Sequence, residues 1–265
     1  MSAKVITIGL QKGGVGKSTT TGILAYLMAK EDNRVLVVDM DGQGNVSDLL
    51  LQFDDIEDIN GSTIIQAFEV QNIKPFIHKT DHPNIDVVPA DDFLATLPRL
   101  LYTDSLYRND NPNMALHKLL EPIKEDYDYI LIDTPPSLSE MTANSIVASD
   151  YVIVLAEGSK WAFTAIKRFV GTIEQAEKVK GQNIDVMGIL RTMTDSRRTD
   201  VKTYVEVIGE QYSELIFDTI IKRKAATGRI SIEGLFDNPE IKDALDQYYK
   251  FYDEVKQRVG VTVNG

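Results

Sequence analysis

The chain has 265 residues, 43% hydrophobic and 26% charged, proportions that sustain a buried core without a disulfide or metal staple. It has no cysteine, which excludes a disulfide framework, a thiolate nucleophile and any thiolate-held zinc or iron–sulfur cluster. A formal net charge of −12 sets the surface as a whole against polyanions, but distant acids are screened beyond about 8 Å in physiological salt, so a local basic patch can still act.

The first residues, Met1 to Gly9, hold only a short apolar run with no leader pattern, and no run reaches the ~18–20 residues that span a bilayer. A soluble, cytoplasmic protein is expected. Val5 to Gly9 is a β-branched strand, followed by a glycine-rich turn and a helix from Ser18 to Lys30, in which Ile23, Leu24, Leu27 and Met28 recur at helical spacing. Arg34 to Asp39 is a continuous apolar run ending in a carboxylate, as in a strand covered on both faces. From about residue 52 to 113, prolines at 75, 83, 89, 98 and 112 break the pattern into peripheral helices and a strand near Ile85 to Val88. Tyr129 to Asp133, Tyr151 to Leu155 and Ile184 to Leu190 are further strands, with helical patterns around 113–125, 162–180 and 199–212. A strand at Leu215 to Ile221 and a helix near 239–258 complete the chain. Strands alternating with helices in this way predict right-handed βαβ crossovers and an α/β, doubly wound, mostly parallel sheet flanked by helices. Residues 1–265 are expected to form a single domain.

The chemistry starts in the first turn. Gln11-Lys12-Gly13-Gly14-Val15-Gly16-Lys17-Ser18-Thr19 lies between a strand and a helix, the context in which a P-loop motif has meaning. Glycines let successive backbone N–H groups point inward, and the helix N-terminus adds its positive end, making a cradle for phosphate oxygens over Lys12 to Thr19. Lys17 is placed to reach the β- and γ-phosphates of ATP, and the Ser18 hydroxyl to ligate Mg²⁺. The strict pattern is not met, because its first glycine falls on Gln11, and Lys12 stands before the paired glycines instead.

Such a loop needs carboxylates at the ends of neighbouring strands to manage metal and attacking water. Asp133 closes the apolar strand Tyr-Ile-Leu-Ile-Asp, and Asp41 lies just past another strand in Val-Asp-Met-Asp-Gly-Gln-Gly-Asn (38–45). Asp39, two residues before Asp41, is expected to have a different task from it. Gly42 and Gly44 let that loop approach the γ-phosphate or simply turn.

In order and spacing, Lys12-Gly13-Gly14-Val15-Gly16-Lys17-Ser18, Asp39-Met40-Asp41-Gly42-Gln43-Gly44-Asn45 and Tyr129-Ile130-Leu131-Ile132-Asp133-Thr134-Pro135-Pro136-Ser137 resemble the ParA branch of the deviant Walker A ATPases. The resemblance extends through Thr192 to Arg197 and Thr219 to Arg223 and is weak between 50 and 115. It implies a homodimer closing over two ATP molecules, with Lys12 of each subunit reaching the other's phosphates. It also implies that Asp41 positions the hydrolytic water, that Asp133 with Ser18 and Asp41 serves the Mg²⁺, and that Lys12 and Lys17 assist hydrolysis. Finally, it implies non-specific DNA binding in the ATP state, a centromere-binding ParB-type partner that stimulates turnover, a nucleoid-associated location in the cytoplasm, and no membrane. Because the chain begins almost at the P-loop, no operator-binding extension is expected.

For DNA the sequence offers a basic stretch without acids from Thr219 through Ser231, holding Lys222, Arg223, Lys224 and Arg229, with Arg191, Arg197, Arg198 and Lys202 upstream. Arg197, Arg223, Lys224 and Arg229 are the candidate phosphate contacts, sequence-independent and salt-sensitive. This sequence departs from the family's pattern where Lys222 replaces a proline and Ala226 an arginine. Three other readings compete: a MinD-like membrane regulator, which needs a basic amphipathic C-terminal helix where this tail mixes both charges; a metabolic ATPase such as an amide-forming synthetase; and the positioning of a protein cargo. His78, His82 and His117 lack ligand spacing and are expected on the surface. Trp161 with Phe163 is expected to pack a helix start, and Ser137 has no partners for nucleophilic catalysis.

Overall fold

In a computed structural model, the described residues are 2–10, 12–52, 59, 61–107, 110–157, 159, 162–194, 199–222, 224, 230, 235–236 and 242–259. The strands are β1 (Lys4–Gly9), β2 (Val35–Asp39), β3 (His78–Lys79), β4 (Ile85–Val88), β5 (Tyr129–Asp133), β6 (Tyr151–Glu157), β7 (Asp185–Thr194) and β8 (Ile216–Lys222). The helices are α1 (Lys17–Lys30), α2 (Asn45–Leu51), α3 (Ile64–Val70), α4 (Leu97–Thr103), α5 (Ala115–Leu120), α6 (Glu140–Ala148), α7 (Ala162–Lys180), α8 (Thr199–Gln211) and α9 (Lys242–Val259).

The strands join one sheet in the order β3-β4-β2-β5-β1-β6-β7-β8. All neighbouring pairs are parallel except β3 with β4. The near-continuous apolar runs in the strands follow from this arrangement, because helices cover both faces. Period-two alternation divides the side chains between two cores. Ile6, Ile8, Val35, Val37 and Leu131 pack with α1, α2 and α9, whereas Val5, Leu36, Val38, Ile130 and Ile132 pack with α3, α4 and α5. Helix α1 is buried without a break from Thr20 to Ala29, because α2 and α9 close over the side that the sheet does not cover.

The predicted strands are all present, and β4 joins the central sheet in register with β2, so the region around 52–113 supplies a core strand. Three elements were not anticipated: helix α2, the two-residue antiparallel β3 and helix α6. The histidine expectation is corrected. The His78 ring bonds the Ser62 hydroxyl at 3.0 Å and carbonyl at 2.8 Å, and His82 packs against the rings of Tyr26 and Phe236, which also meet each other, with centroids at 5.9 and 5.8 Å. His117 is half-buried 3.5 Å from Glu121. All three rings are partly buried, at the margin of the fold rather than in open solvent. Phe163 packs against the main core, as expected, and Trp161 lies outside the described residues.

Helix α9 lies against β8, and its side chains take up that strand's backbone groups. Glu254 accepts from the N–H of Asp218 at 2.6 Å and of Thr219 at 2.9 Å, while Gln247 accepts from the N–H of Lys222 at 3.0 Å and donates to its carbonyl at 3.1 Å. Arg258 donates to the carbonyls of Met187 at 2.9 Å, Leu215 at 3.1 Å and Ile216, its guanidinium 4.0 Å from the centroid of the Phe217 ring.

Candidate nucleotide site

Parallel strands deliver their carboxyl ends to one edge, and in this order that edge collects the predicted residues. In the parallel register Asp133 sits opposite Ile8 of β1 on one side and Asp39 of β2 on the other. β1 leads directly into the glycine loop, and β6, on its far side, ends at Glu157.

The loop turns into α1 at Gly16, whose φ of 84° lies in the left-handed region that a Cβ disfavours. No side chain caps the first turn of α1, so its N–H groups and the positive end of its dipole face the loop's concavity. Thr192 Oγ donates to the Val15 carbonyl at 2.7 Å and fixes the loop from β7. The Val15 side chain is fully buried, so this residue serves the loop through its backbone.

A cleft of about 440 Å³ opens over the loop, lined by Gly13, Gly14, Gly16, Lys17, Ser18 and Thr19 from the loop and helix, and by Asp41, Gln43, Asn45, Leu49, Pro136 and Ile230 from elsewhere. Its size and concavity match a small-molecule site. Lys17 is largely buried beneath it and donates to the Lys12 carbonyl at 3.2 Å. Burial pushes its ammonium pKa down, and the charges of Asp133 and Asp41 oppose that shift.

Asp133 is fully buried; its carboxylate accepts from Ser18 Oγ at 2.6 Å and from Thr21 Oγ at 3.2 Å. Burial raises its pKa to about 6, against the pull of the Ser18 hydrogen bond and Lys17. Asp39 is also fully buried, and its pKa is pushed up to about 8, first by burial and then by Asp133. Asp41 reaches the cleft, and one carboxylate oxygen accepts from Gln43 N at 3.2 Å. The two aspartates of the 38–45 segment therefore face different surroundings, but not through strand alternation: residues two apart share one face of a strand, and these part because β2 ends at Asp39 and the chain turns before Asp41.

Ser18, Asp133 and Asp41 supply hard oxygens around a buried cationic centre, a donor set suited to Mg²⁺ completed by phosphate oxygens and water. Among the described residues no group of three or more His, Cys, Asp or Glu side chains is disposed to hold a metal without such help.

Lys12 was expected at the site for a second subunit. Here its ammonium pairs with the chain's own Glu157 and lies 3.4 Å from Ser159 Oγ, with both charged side chains about one-third exposed. Glu157 was not singled out from the sequence. The signal was available, since it closes the apolar strand Tyr-Val-Ile-Val-Leu-Ala-Glu as Asp133 closes β5. Thr21 was also missed, hidden within an ordinary helical stretch.

Of the DNA candidates, Lys224 borders an open cleft of about 570 Å³ together with Lys222, Lys250, Asp218 and Asp246. Arg197, Arg223 and Arg229 lie outside the described residues.

A strand, glycine loop and helix carrying a buried lysine, with hydroxyl and carboxylates gathered at the same sheet edge, define a P-loop nucleotide-binding protein. A family model described as an AAA domain matches residues 3–186. Chromosome partitioning protein ParA of Myxococcus xanthus is 34% identical over 223 residues, covering 83% of this chain and 75% of that protein. A plasmid partition protein from Borrelia burgdorferi has a solved structure that is 26% identical, covers 97% of this chain and 100% of its own and superposes with a TM-score of 0.73. Cobyrinic acid a,c-diamide synthase from Mycobacterium smegmatis, solved with a bound ATP analogue and magnesium, is 26% identical, covers 86% of this chain and 91% of its own and superposes with a TM-score of 0.74. The chain belongs to the ParA family of P-loop ATPases.

Proposed function

We propose that this chain is an ATP-operated partition switch, one ATPase domain along its whole length. It binds ATP with Mg²⁺, closes as a homodimer over two nucleotides and in that state holds duplex DNA without sequence preference. It lets go after hydrolysis, which a centromere-binding ParB-type partner stimulates. The observation that carries the reading is the gathering of Lys17, Ser18, Asp133 and Asp41 at one sheet edge, with a second lysine, Lys12, on the same loop.

In this mechanism the uncapped turn of α1 and Lys17 hold the phosphates, and Lys17 offsets charge that develops on the γ-phosphate. Ser18 and Asp133 hold the Mg²⁺, which when bound neutralises phosphate charge. The Asp41 carboxylate, open to the cleft, accepts a hydrogen bond from the attacking water and orients it. Lys12 leaves Glu157 to reach the partner's nucleotide, which makes dimerisation depend on ATP. Among the described residues the cleft's lining includes no arginine, and an arginine finger is worth ~10³–10⁵ in rate, so unstimulated turnover is slow.

Lys222, Lys224 and Lys250 support a DNA surface against the chain's acidic average. The membrane alternative loses support because the apolar face of α9, with Leu245, Tyr248, Phe251, Tyr252 and Val255, is buried in the core. Among the described residues no helix is long and apolar enough to cross a bilayer. The reading is tested by co-sedimentation with non-specific duplex DNA under ATP, ADP and no nucleotide at two salt concentrations. ATP-dependent, salt-sensitive binding that weakens in Lys222→Ala/Lys224→Ala is expected. Dimerisation with ATP but no DNA binding in any state would overturn the DNA assignment and favour a protein cargo.

A further inference from the structure

Asp39 does not line the cleft and has no part in the mechanism so far, yet it is the most fully engaged acid near it. One carboxylate oxygen accepts from the backbone N–H of Asp41 at 2.9 Å. The other accepts from Ser47 Oγ at 2.7 Å and from the Ser47 N–H at 3.2 Å. Ser47 is the third residue of α2, a helix whose N-cap, Gly44, has no side chain to offer. Asp39 therefore supplies from β2 the acceptor that an N-cap side chain would ordinarily give to the third residue's N–H. The same Ser47 hydroxyl accepts from the N–H of Ala90 at 3.1 Å, just beyond β4, so the network joins three segments. Between its two anchored ends lies the turn from Asp41 to Gly44. That turn is tight: Gly44 has a φ of 64°, and a Cβ there would stand 3.1 Å from the Ala90 carbonyl.

We infer that Asp39 is a positioning residue for ATP hydrolysis: its carboxylate clamps the Asp41 backbone and the start of α2, holding the Asp41 side chain where the attacking water sits. The inference rests on the proposed role of Asp41. Asp39 is fully buried and does not line the cleft, so it is placed to act through Asp41. Lys17, Ser18 and the glycine loop, which hold the phosphates, hang from β1 and α1 and not from this clamp; Gln43, Asn45 and Leu49 of the clamped segment line the rest of the cleft, so nucleotide affinity should change far less than turnover. A displacement on the order of 1 Å in a positioned group costs about 10²-fold in rate.

The test compares steady-state ATPase activity, with fluorescent-nucleotide binding as the fold control, in wild type, Asp39→Asn, Asp39→Ala and Ser47→Ala. For Asp39→Ala kcat is expected to fall roughly 10- to 100-fold while KM and nucleotide affinity change less than about threefold. Asp39→Asn, whose amide oxygen still accepts from the Asp41 N–H, should recover part of the loss. Ser47→Ala removes the hydroxyl's bonds to Asp39 and Ala90 but keeps the backbone N–H bond to Asp39, so it loosens the α2 limb and should lose a few-fold in kcat; it keeps the inference testable should Asp39→Ala fail to fold. Wild-type kcat in Asp39→Ala, or losses shared equally between kcat and nucleotide affinity, would overturn it, as would wild-type kcat in Ser47→Ala. A wild-type protein with no ATP turnover would instead defeat the proposed function itself.

Discussion

Replacing Glu157 by Gln removes the charge that holds Lys12 within its own subunit. Both side chains are about one-third exposed, 33% for Lys12 and 32% for Glu157, so solvent screens the pair and it behaves as a surface ion pair. Such pairs contribute about 0.2–1 kcal/mol, and ~0.5 kcal/mol is taken for each latch. The proposed dimer breaks two latches, so the variant avoids ~1 kcal/mol, equivalent to roughly fivefold tighter ATP-dependent dimerisation. Sedimentation velocity with Mg-ATP measures this, with Asp41→Ala in both proteins to block turnover. The monomer–dimer midpoint should fall to about one-fifth of its value at low salt, and the gain should shrink at high salt as the native pair is screened. An unchanged midpoint would mean that the latch does not oppose assembly. A weaker dimer would mean that Glu157 supports the interface, and either result refutes the reasoning.

Lys17→Ala should abolish ATP binding in an equilibrium nucleotide assay, whereas Asp41→Ala should retain ATP binding and dimerisation and lose hydrolysis; turnover at the parental rate would remove Asp41 from its role. Asp39 is raised from an unfolded-state value near 3.9 to about 8, so the folded protein binds the extra proton between those limits. Its contribution to stability is therefore full below pH ~4 and is lost as pH rises through about 8. Thermal melts of the nucleotide-free protein should show Asp39→Asn gaining on wild type across that range. Gly188→Ala would bring a Cβ within 2.6 Å of the Phe217 ring and 2.8 Å of the Leu215 carbonyl, as well as against Arg258. A destabilisation of about 1–3 kcal/mol is expected in chemical denaturation.

The parts of the fold most legible in the sequence were those whose signal is local. Buried parallel strands announce themselves as apolar runs, and the P-loop combines glycines, lysine and hydroxyl within nine residues. Helix α6 escaped because its buried side includes Thr142, Asn144 and Ser145, which look polar in sequence. Their polar groups are satisfied locally: Ser145 Oγ donates to the Met141 carbonyl, Asn144 Nδ2 to that of Glu140 and Thr142 Oγ to that of Ser137. A pattern search scores them as surface, although burial costs them little. β3 is two residues long and exists only by virtue of its partner strand. The pairing of Lys12 with Glu157 spans 145 positions, so it becomes visible only once β6 is placed beside β1. The Asp39 clamp belongs to the same class, since Asp39, Ser47 and Ala90 meet only when β4 lies beside β2.

The attachment of α9 to β8 bears on how copies of this chain can meet. An outer strand with bare N–H and C=O groups is a template on which a neighbouring molecule can lay a strand of its own. Here Glu254 and Gln247 already occupy the N–H groups of Asp218, Thr219 and Lys222 and the Lys222 carbonyl. The chain's own helix stands where a foreign strand would dock, so growth of the sheet from molecule to molecule is closed off at that margin. Stripping α9 away would bare those groups, and the shortened chain is expected to aggregate through that margin.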